Sequence, residues 1–420
     1  MNSIKSLLKI FTIFSSSTIP SFKNNERWFA KKSFPLFFFL ALISFQASTS
    51  AQDSSHIRIS LLTCTPGEEL YSTFGHTAIR VTDSNSVTDN VFNYGTFNFK
   101  APDFYTKFIR GKLLYYLSVE DFREFAYVYE AEHRGITEQV LNMSANEKII
   151  MMEALYENSK EANRYYKYDF FLDNCTTRPR DMIVKYKHDH PAFNWVMPKG
   201  TRFRQAIHLY LDKNEKYWSK LGIDLLLGAP TDGVMTIGQS QFLPDNLMKS
   251  LDSSNQNYQF VLSTGSLYPF QPEASNASFL TPMFVFSLLL VMIVLLSFSV
   301  NKKAKMFLQG FDGFFFFVTG ALGIMLVFMW TSTDHSMTKD NYNLLWAWPF
   351  NAITAFFVNS KARWVKIYFG VSALALLLVL LSWFFLPQQL NIALIPWVML
   401  LAFRSAVKYF ASASSPAGWK

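Results

Sequence analysis

The chain has 420 residues, half of them hydrophobic, 17% aromatic and 17% charged, with a formal net charge of +8. That length exceeds one ordinary domain, and the apolar residues are spread unevenly, which implies two regions in different solvents and excludes a single water-soluble fold. The positive charge lies mostly in the leader and in loops between apolar segments, so it reads as membrane topology, and nucleic-acid binding is excluded.

The N-terminus carries Arg27, Lys31 and Lys32, then the apolar run Phe34 to Phe45, then small residues ending Thr49-Ser50-Ala51. This pattern predicts a signal peptide or retained anchor over residues 1–51. No cysteine lies at the cleavage point, so the protein is not expected to be a lipoprotein itself.

Residues 52–276 mix charge, aromatics and short periodic runs, as an extracytoplasmic soluble domain does. Alternation predicts strands over Ile57 to Cys64, His76 to Val81, Val91 to Phe99 and Ile136 to Met143. Glu68 to Phe74 reads as a short helix or loop and Asp83 to Ser86 as a turn. Helices are predicted over Phe104 to Ile109, Val119 to Tyr129, and Ala145 to Ser159 after a capping Ser144. Another is predicted from Cys175 to about Tyr186, making the domain α+β. Core packing is the preferred reading of the apolar run Asp224 to Pro230.

Two residues carry chemistry. His76 opens a strand and Cys175 opens a helix, where the helix N-terminus favours thiolate over thiol. A thiol nucleophile needs an imidazole base, a polar group to orient that imidazole, and donors for the oxyanion. Cys175 and His76 fill the first roles, and Asn93 or Tyr94 is placed to orient the ring. The Cys175 backbone amide is the natural oxyanion donor, with the Asn174 side chain a weaker one. Arg178, on the polar face of the same helix, is a candidate substrate-binding residue. Cys64 and Cys175 are the two cysteines, and outside the cytoplasm a disulfide between them is the plain structural alternative. No metal motif is present.

Residues 277–420 read as a transmembrane domain with five helices: Phe279 to Val300, Phe307 to Trp330, Leu344 to Val358 with Pro349 inside it, Val365 to Leu386, and Ile392 to Phe410. Lys302, Lys303 and Lys305, then Lys361, Arg363 and Lys366, then Arg404, Lys408 and Lys420 fall on the side that the positive-inside rule makes cytoplasmic. In the outer loop Thr331 to Asn343, an ordinary interfacial connection competes with a reading in which Asp334, His335 and Asn341 bind a lipid head group below the active site.

The order of an early strand-start histidine and a later Asn-Cys resembles the permuted papain-like superfamily, with its NlpC/P60-like and lecithin:retinol acyltransferase-like members. More closely, Leu61 to Glu68, Phe74 to Val81, Asn93-Tyr94-Gly95, Asp173 to Arg178 and the membrane segments with Asp334-His335 resemble the Lnb family. The resemblance implies a papain-like periplasmic thiol domain followed by an all-α five-helix domain in the bacterial inner membrane. It further implies a lipoprotein N-acyltransferase without cofactor: Cys175 takes an acyl chain from a phospholipid as a thioester, with His76 as base, and passes it to the α-amino group of a diacylated lipoprotein acceptor. The competing readings are a membrane-anchored cysteine peptidase acting on peptidoglycan and a disulfide-bonded scaffold without enzymatic activity.

Overall fold

Seven antiparallel strands in the order β6-β4-β3-β2-β1-β5-β7 organise the first half of the protein in a computed structural model that describes residues 56–189, 192–254, 260–270 and 278–411. The predicted leader lies outside the described residues. The strands are β1 (Ile57–Cys64), β2 (His76–Asp83), β3 (Thr88–Thr96), β4 (Leu114–Asp121), β5 (Ile136–Leu141), β6 (Tyr165–Lys167) and β7 (Val261–Tyr268). The helices between them are α1 (Phe104–Ile109), α2 (Phe122–Ala131), α3 (Ala145–Ser159), α4 (Thr177–Tyr186), α5 (Phe203–Lys213), α6 (Tyr217–Leu226), α7 (Ile237–Ser240) and α8 (Pro244–Ser253).

Both faces of the central strands are covered, because side chains alternate across a strand. Ile59, Leu61, Ile79, Val81 and Phe92 pack with Met151, Leu155, Ile183 and Leu247 of α3, α4 and α8. Leu62, Cys64, Ala78 and Val91 face Phe125, Ala126 and Tyr129 of α2. The predicted strands and α3 form as expected, and Ser144 makes a capping box with Glu147. The predicted helix over Val119 to Tyr129 is corrected. Tyr116, Ser118, Val119, Glu120 and Asp121 extend the sheet by pairing with β3, and the Asp121 side chain then accepts from the Arg123 amide at 2.8 Å, so α2 starts only at Phe122.

The second half is helical: α9 (Pro282–Ser297), α10 (Lys302–Thr331), α11 (Asn351–Thr354), α12 (Arg363–Ser382) and α13 (Ile395–Ala411). Among the described residues three helices, Lys302–Thr331, Arg363–Ser382 and Ile392–Phe410, are long and apolar enough to cross a membrane, and Pro282–Ser297 is a shorter apolar helix. The predicted segment Leu344 to Val358 departs from a spanning helix. It breaks into 3-10 turns at Tyr342–Leu345 and Ala355–Phe357 around the four-residue α11. Pro349 cannot donate to a helical ladder, and the irregular backbone packs directly onto α10 at Gly320 and Gly323, where an added Cβ would sit 2.0 Å from Ala352 N and Ala347 O. Irregular backbone at membrane depth is tolerated where protein covers it. Arg404 of α13 grips Asp312 of α10 through two bonds of 2.6 and 2.7 Å, tying these helices together.

The junction between the halves is polar and buried. Gly228 N donates to Met337 O, Asn341 donates to the carbonyls of Leu225 and Leu226, and Gln388 bonds both Tyr342 N and Leu227 O. A Cβ at Gly228 would stand 1.7 Å from Lys339 O, so only glycine permits this approach. The run Asp224 to Pro230 is therefore a docking lip for the outer loop as well as core.

Candidate active site

β2 begins at His76 directly after Gly75, whose φ of +81° turns the chain into the sheet, and a Cβ there would stand 2.7 Å from Cys64 O. Register places His76 opposite Cys64 on β1. Farther along the same face, Asn93 of β3 reaches the imidazole: His76 Nε2 and Asn93 Oδ1 are 2.6 Å apart. Asn93 Nδ2 donates in turn to Glu120 Oε1 of β4 at 3.0 Å. With Nε2 engaged by Asn93, Nδ1 is the nitrogen left to meet a thiol.

That thiol is Cys175, on the turn before α4. Asn174 builds the turn: its Oδ1 accepts from the amides of Thr176 and Thr177 at 2.8 and 2.9 Å, and its Nδ2 donates to the carbonyls of Phe170 and Phe242. Thr176 Oγ1 and Thr77 Oγ1, 3.1 Å apart, fasten the turn to β2. Gly95, at φ +93° beside the irregular register of β3 and β4, leaves room for the sulfur-bearing carbon; a Cβ there would lie 3.3 Å from Cys175 Cβ.

Cys175 and His76 are within hydrogen-bonding reach of each other. Burial alone would push the Cys175 thiol up, but the charge and hydrogen bond of His76, the Thr77 backbone and the Thr176 hydroxyl bring it below its ordinary value. Burial likewise opposes charge on His76, and its bonds to Cys175 and Asn93 raise its pKa nonetheless. Both shifts favour a thiolate–imidazolium pair. Among the described residues, no hydrogen-bond acceptor faces the Cys175 backbone N–H.

Cys64 contrasts with it. Both cysteines are free, which sets aside the disulfide alternative, and burial pushes the Cys64 thiol up to about 12 against the opposing influence of Tyr129 and Arg134.

A cavity of about 890 Å³ opens over the pair, lined mainly by apolar and aromatic side chains. One wall is the sheet domain, with His76, Asn93, Tyr115 and Tyr168. The opposite wall includes Met325, Phe328 and Met329 near the end of α10. Asp334 and His335 lie at its edge, where Asp334 N donates to Arg110 O, Lys167 meets the Asp334 carboxylate at 3.1 Å, and His335 Nε2 is 3.0 Å from Ile109 O.

Four of the expected site residues serve otherwise. Both amide hydrogens of Asn174 are spent on carbonyls, so its side chain shapes the turn and is no oxyanion donor. Tyr94 is buried and donates to Asn158 at 2.7 Å, leaving Asn93 alone to orient His76. Arg178 makes a two-point bond to Asp173 and stacks 3.5 Å over Tyr166, outside the cavity lining. Asn341 is buried in the junction. Sequence reasoning missed Glu120, Tyr168 and Arg134. Tyr168 reaches the Cys175 sulfur and stacks on Tyr115 at 4.4 Å between ring centroids.

Two family models match the chain: the Lnb N-terminal periplasmic domain over residues 44–196 and the Lnb transmembrane domain over residues 274–415, together well over half its length. No curated protein and no solved structure matches.

Proposed function

Because the chain belongs to the Lnb family, a membrane protein with a periplasmic domain, we propose that it is a lipoprotein N-acyltransferase crossing the bacterial inner membrane several times, its periplasmic domain a permuted papain-like fold. One observation carries this reading: a continuous, largely apolar cavity joins the Cys175–His76 pair to side chains of α10, a helix apolar and long enough to span a bilayer. Such a cavity suits acyl chains, and outside the cytoplasm the accessible source of acyl esters is membrane lipid.

In the first half-reaction the Cys175 thiolate attacks an ester carbonyl of a phospholipid. The Cys175 amide, on the turn before α4, donates to the developing oxyanion. The carbon–oxygen bond breaks, His76 gives its proton to the departing lysolipid alkoxide, and an acyl thioester remains on Cys175. In the second, the α-amino group of the diacylated N-terminal cysteine of a lipoprotein attacks the thioester and His76 takes its proton. An amide forms, and the thiolate–imidazolium pair returns. Asn93 holds the imidazole in the plane that serves both proton transfers. Asp334 and His335, at the cavity edge, are placed to meet polar parts of the lipid substrates.

A peptidase acting on a water-soluble peptide gives no role to the apolar wall from α10. The test is mass spectrometry of a lipoprotein N-terminal peptide from cells lacking this protein, complemented with wild type or Cys175→Ala. N-acylation that returns only with wild type is expected; N-acylation that never changes would overturn the assignment.

A further inference from the structure

Arg134 lies between α2 and β5, where residue 133 takes a left-handed φ of 53° and turns the following side chain inward. It is 93% buried, at 7% exposure, and lines the same cavity as Cys175 and His76. Its Nε donates to Thr65 O at 2.9 Å and its Nη1 to Glu132 Oε2 at 2.9 Å, while its guanidinium lies 4.6 Å over the Tyr129 ring. Nη2 is buried and, among the described residues, has no hydrogen-bond partner. The room for this side chain is made by Gly67, where a Cβ would crowd Arg134 Cδ and Nε at 3.2 Å.

A buried guanidinium with an unanswered N–H face is costly unless a ligand meets it. Arginine presents donors in a planar fork that matches phosphate oxygens. We propose that Arg134 is the anion-binding group of this cavity and holds the phosphodiester of the donor lipid through its guanidinium. In a glycerophospholipid the phosphodiester stands only a few bonds from either ester carbonyl. A cation lining the thiol's cavity would thus both select phosphate-bearing lipids over neutral glycerides and set an ester over Cys175. The donor role of the bound lipid rests on the acyl-transfer reading above; the anion site does not.

The test uses full-length Cys175→Ala protein in detergent, which cannot turn lipid over, and compares retention of phosphatidylglycerol with diacylglycerol of the same acyl chains by native mass spectrometry. Preferential retention of phosphatidylglycerol is expected. Adding Arg134→Gln should lower it at least tenfold while leaving diacylglycerol unchanged, and Arg134→Lys should recover part of it. Equal retention of the two lipids by the parent protein would overturn the proposal. So would equal loss of both in Arg134→Gln, since that marks a strut holding Thr65 and Glu132. Excess inorganic phosphate should leave retention unchanged, because the acyl chains anchor the lipid; displacement would reassign the site to a free anion and overturn the lipid assignment. A parallel assay for an acyl thioester on wild-type Cys175 separates the two ideas. Phosphate-selective retention without thioester keeps the anion site and removes the acyl-transfer reading, whereas thioester formation without phosphate preference does the reverse.

Discussion

Two buried arginines, one at the junction with the helical region and one in the cavity wall, solve the same problem in opposite ways. Arg204 is fully buried and fully answered: Nε meets Asp232, Nη1 meets Asp224 at 2.8 Å, and Nη2 meets Thr231 at 2.7 Å and the carbonyls of Leu227 and Gly228. Asp224 is met in turn by His208 and by Asn391 of the helical region. Arg134 is almost as buried, yet among the described residues its Nη2 has no partner. Saturation marks a strut and incompleteness marks a place for something else. The same contrast separates Asn174, whose amide is spent on carbonyls, from its neighbour Cys175, which lines the cavity and whose backbone N–H has no hydrogen-bond partner among the described residues.

The sharpest way to break this comparison is to remove the saturated strut. Arg204→Ala leaves Asp224 and Asp232 buried without their cation and should cost about 3–5 kcal/mol of stability, read as a large drop in the unfolding midpoint of the detergent-solubilised protein. An unchanged midpoint would break the link between saturation and support.

A second probe addresses the reactive pair. His76→Ala removes the charge and hydrogen bond that lower the Cys175 pKa and leaves burial, which raises it. The thiol should then titrate higher than it does in the wild-type protein. Because only thiolate reacts, iodoacetamide labelling at neutral pH should slow about tenfold or more. Labelling that keeps its wild-type pH profile would mean that His76 does not set the thiolate.

Asn93→Ala breaks the link from Glu120 to His76 and should lower turnover about tenfold with little change in substrate affinity, by the cost of one buried charge-assisted hydrogen bond. Equal losses in turnover and affinity would point to general damage of the sheet. Least affected should be Arg178→Ala. Its ion pair with Asp173 is partly exposed and outside the cavity lining, so activity should fall less than about threefold; a larger loss would return Arg178 to the site.

Local signals made much of this legible in the sequence. Alternation located β1 and β2, the Ser144 cap located α3, and the short motifs around His76 and Cys175 singled out two residues that the fold brings to one cavity. Long-range pairing hid the rest. The end of β4 looks helical in sequence because Val119 to Tyr129 carries no break where Asp121 caps α2, and its strand state depends on β3. Leu344 to Val358 has the composition of a span, but two glycines on α10 let it fold as packed turns. Asn341 and a head-group ligand look alike in sequence, since both are polar residues beside apolar ones; only the carbonyls of Leu225 and Leu226 tell them apart. Glu120 and Arg134 gain their significance from partners on other strands and turns, which no spacing announces.

The central claim is that Cys175 carries an acyl chain in the reaction, and intact-protein mass spectrometry after incubation with phospholipid tests it most directly. The account predicts a mass increase of one acyl chain that maps to Cys175, is released by hydroxylamine, is absent from Cys175→Ala, and forms about 10²- to 10⁴-fold more slowly in His76→Ala. No adduct on the wild-type protein, or an adduct that persists in Cys175→Ala, would contradict it.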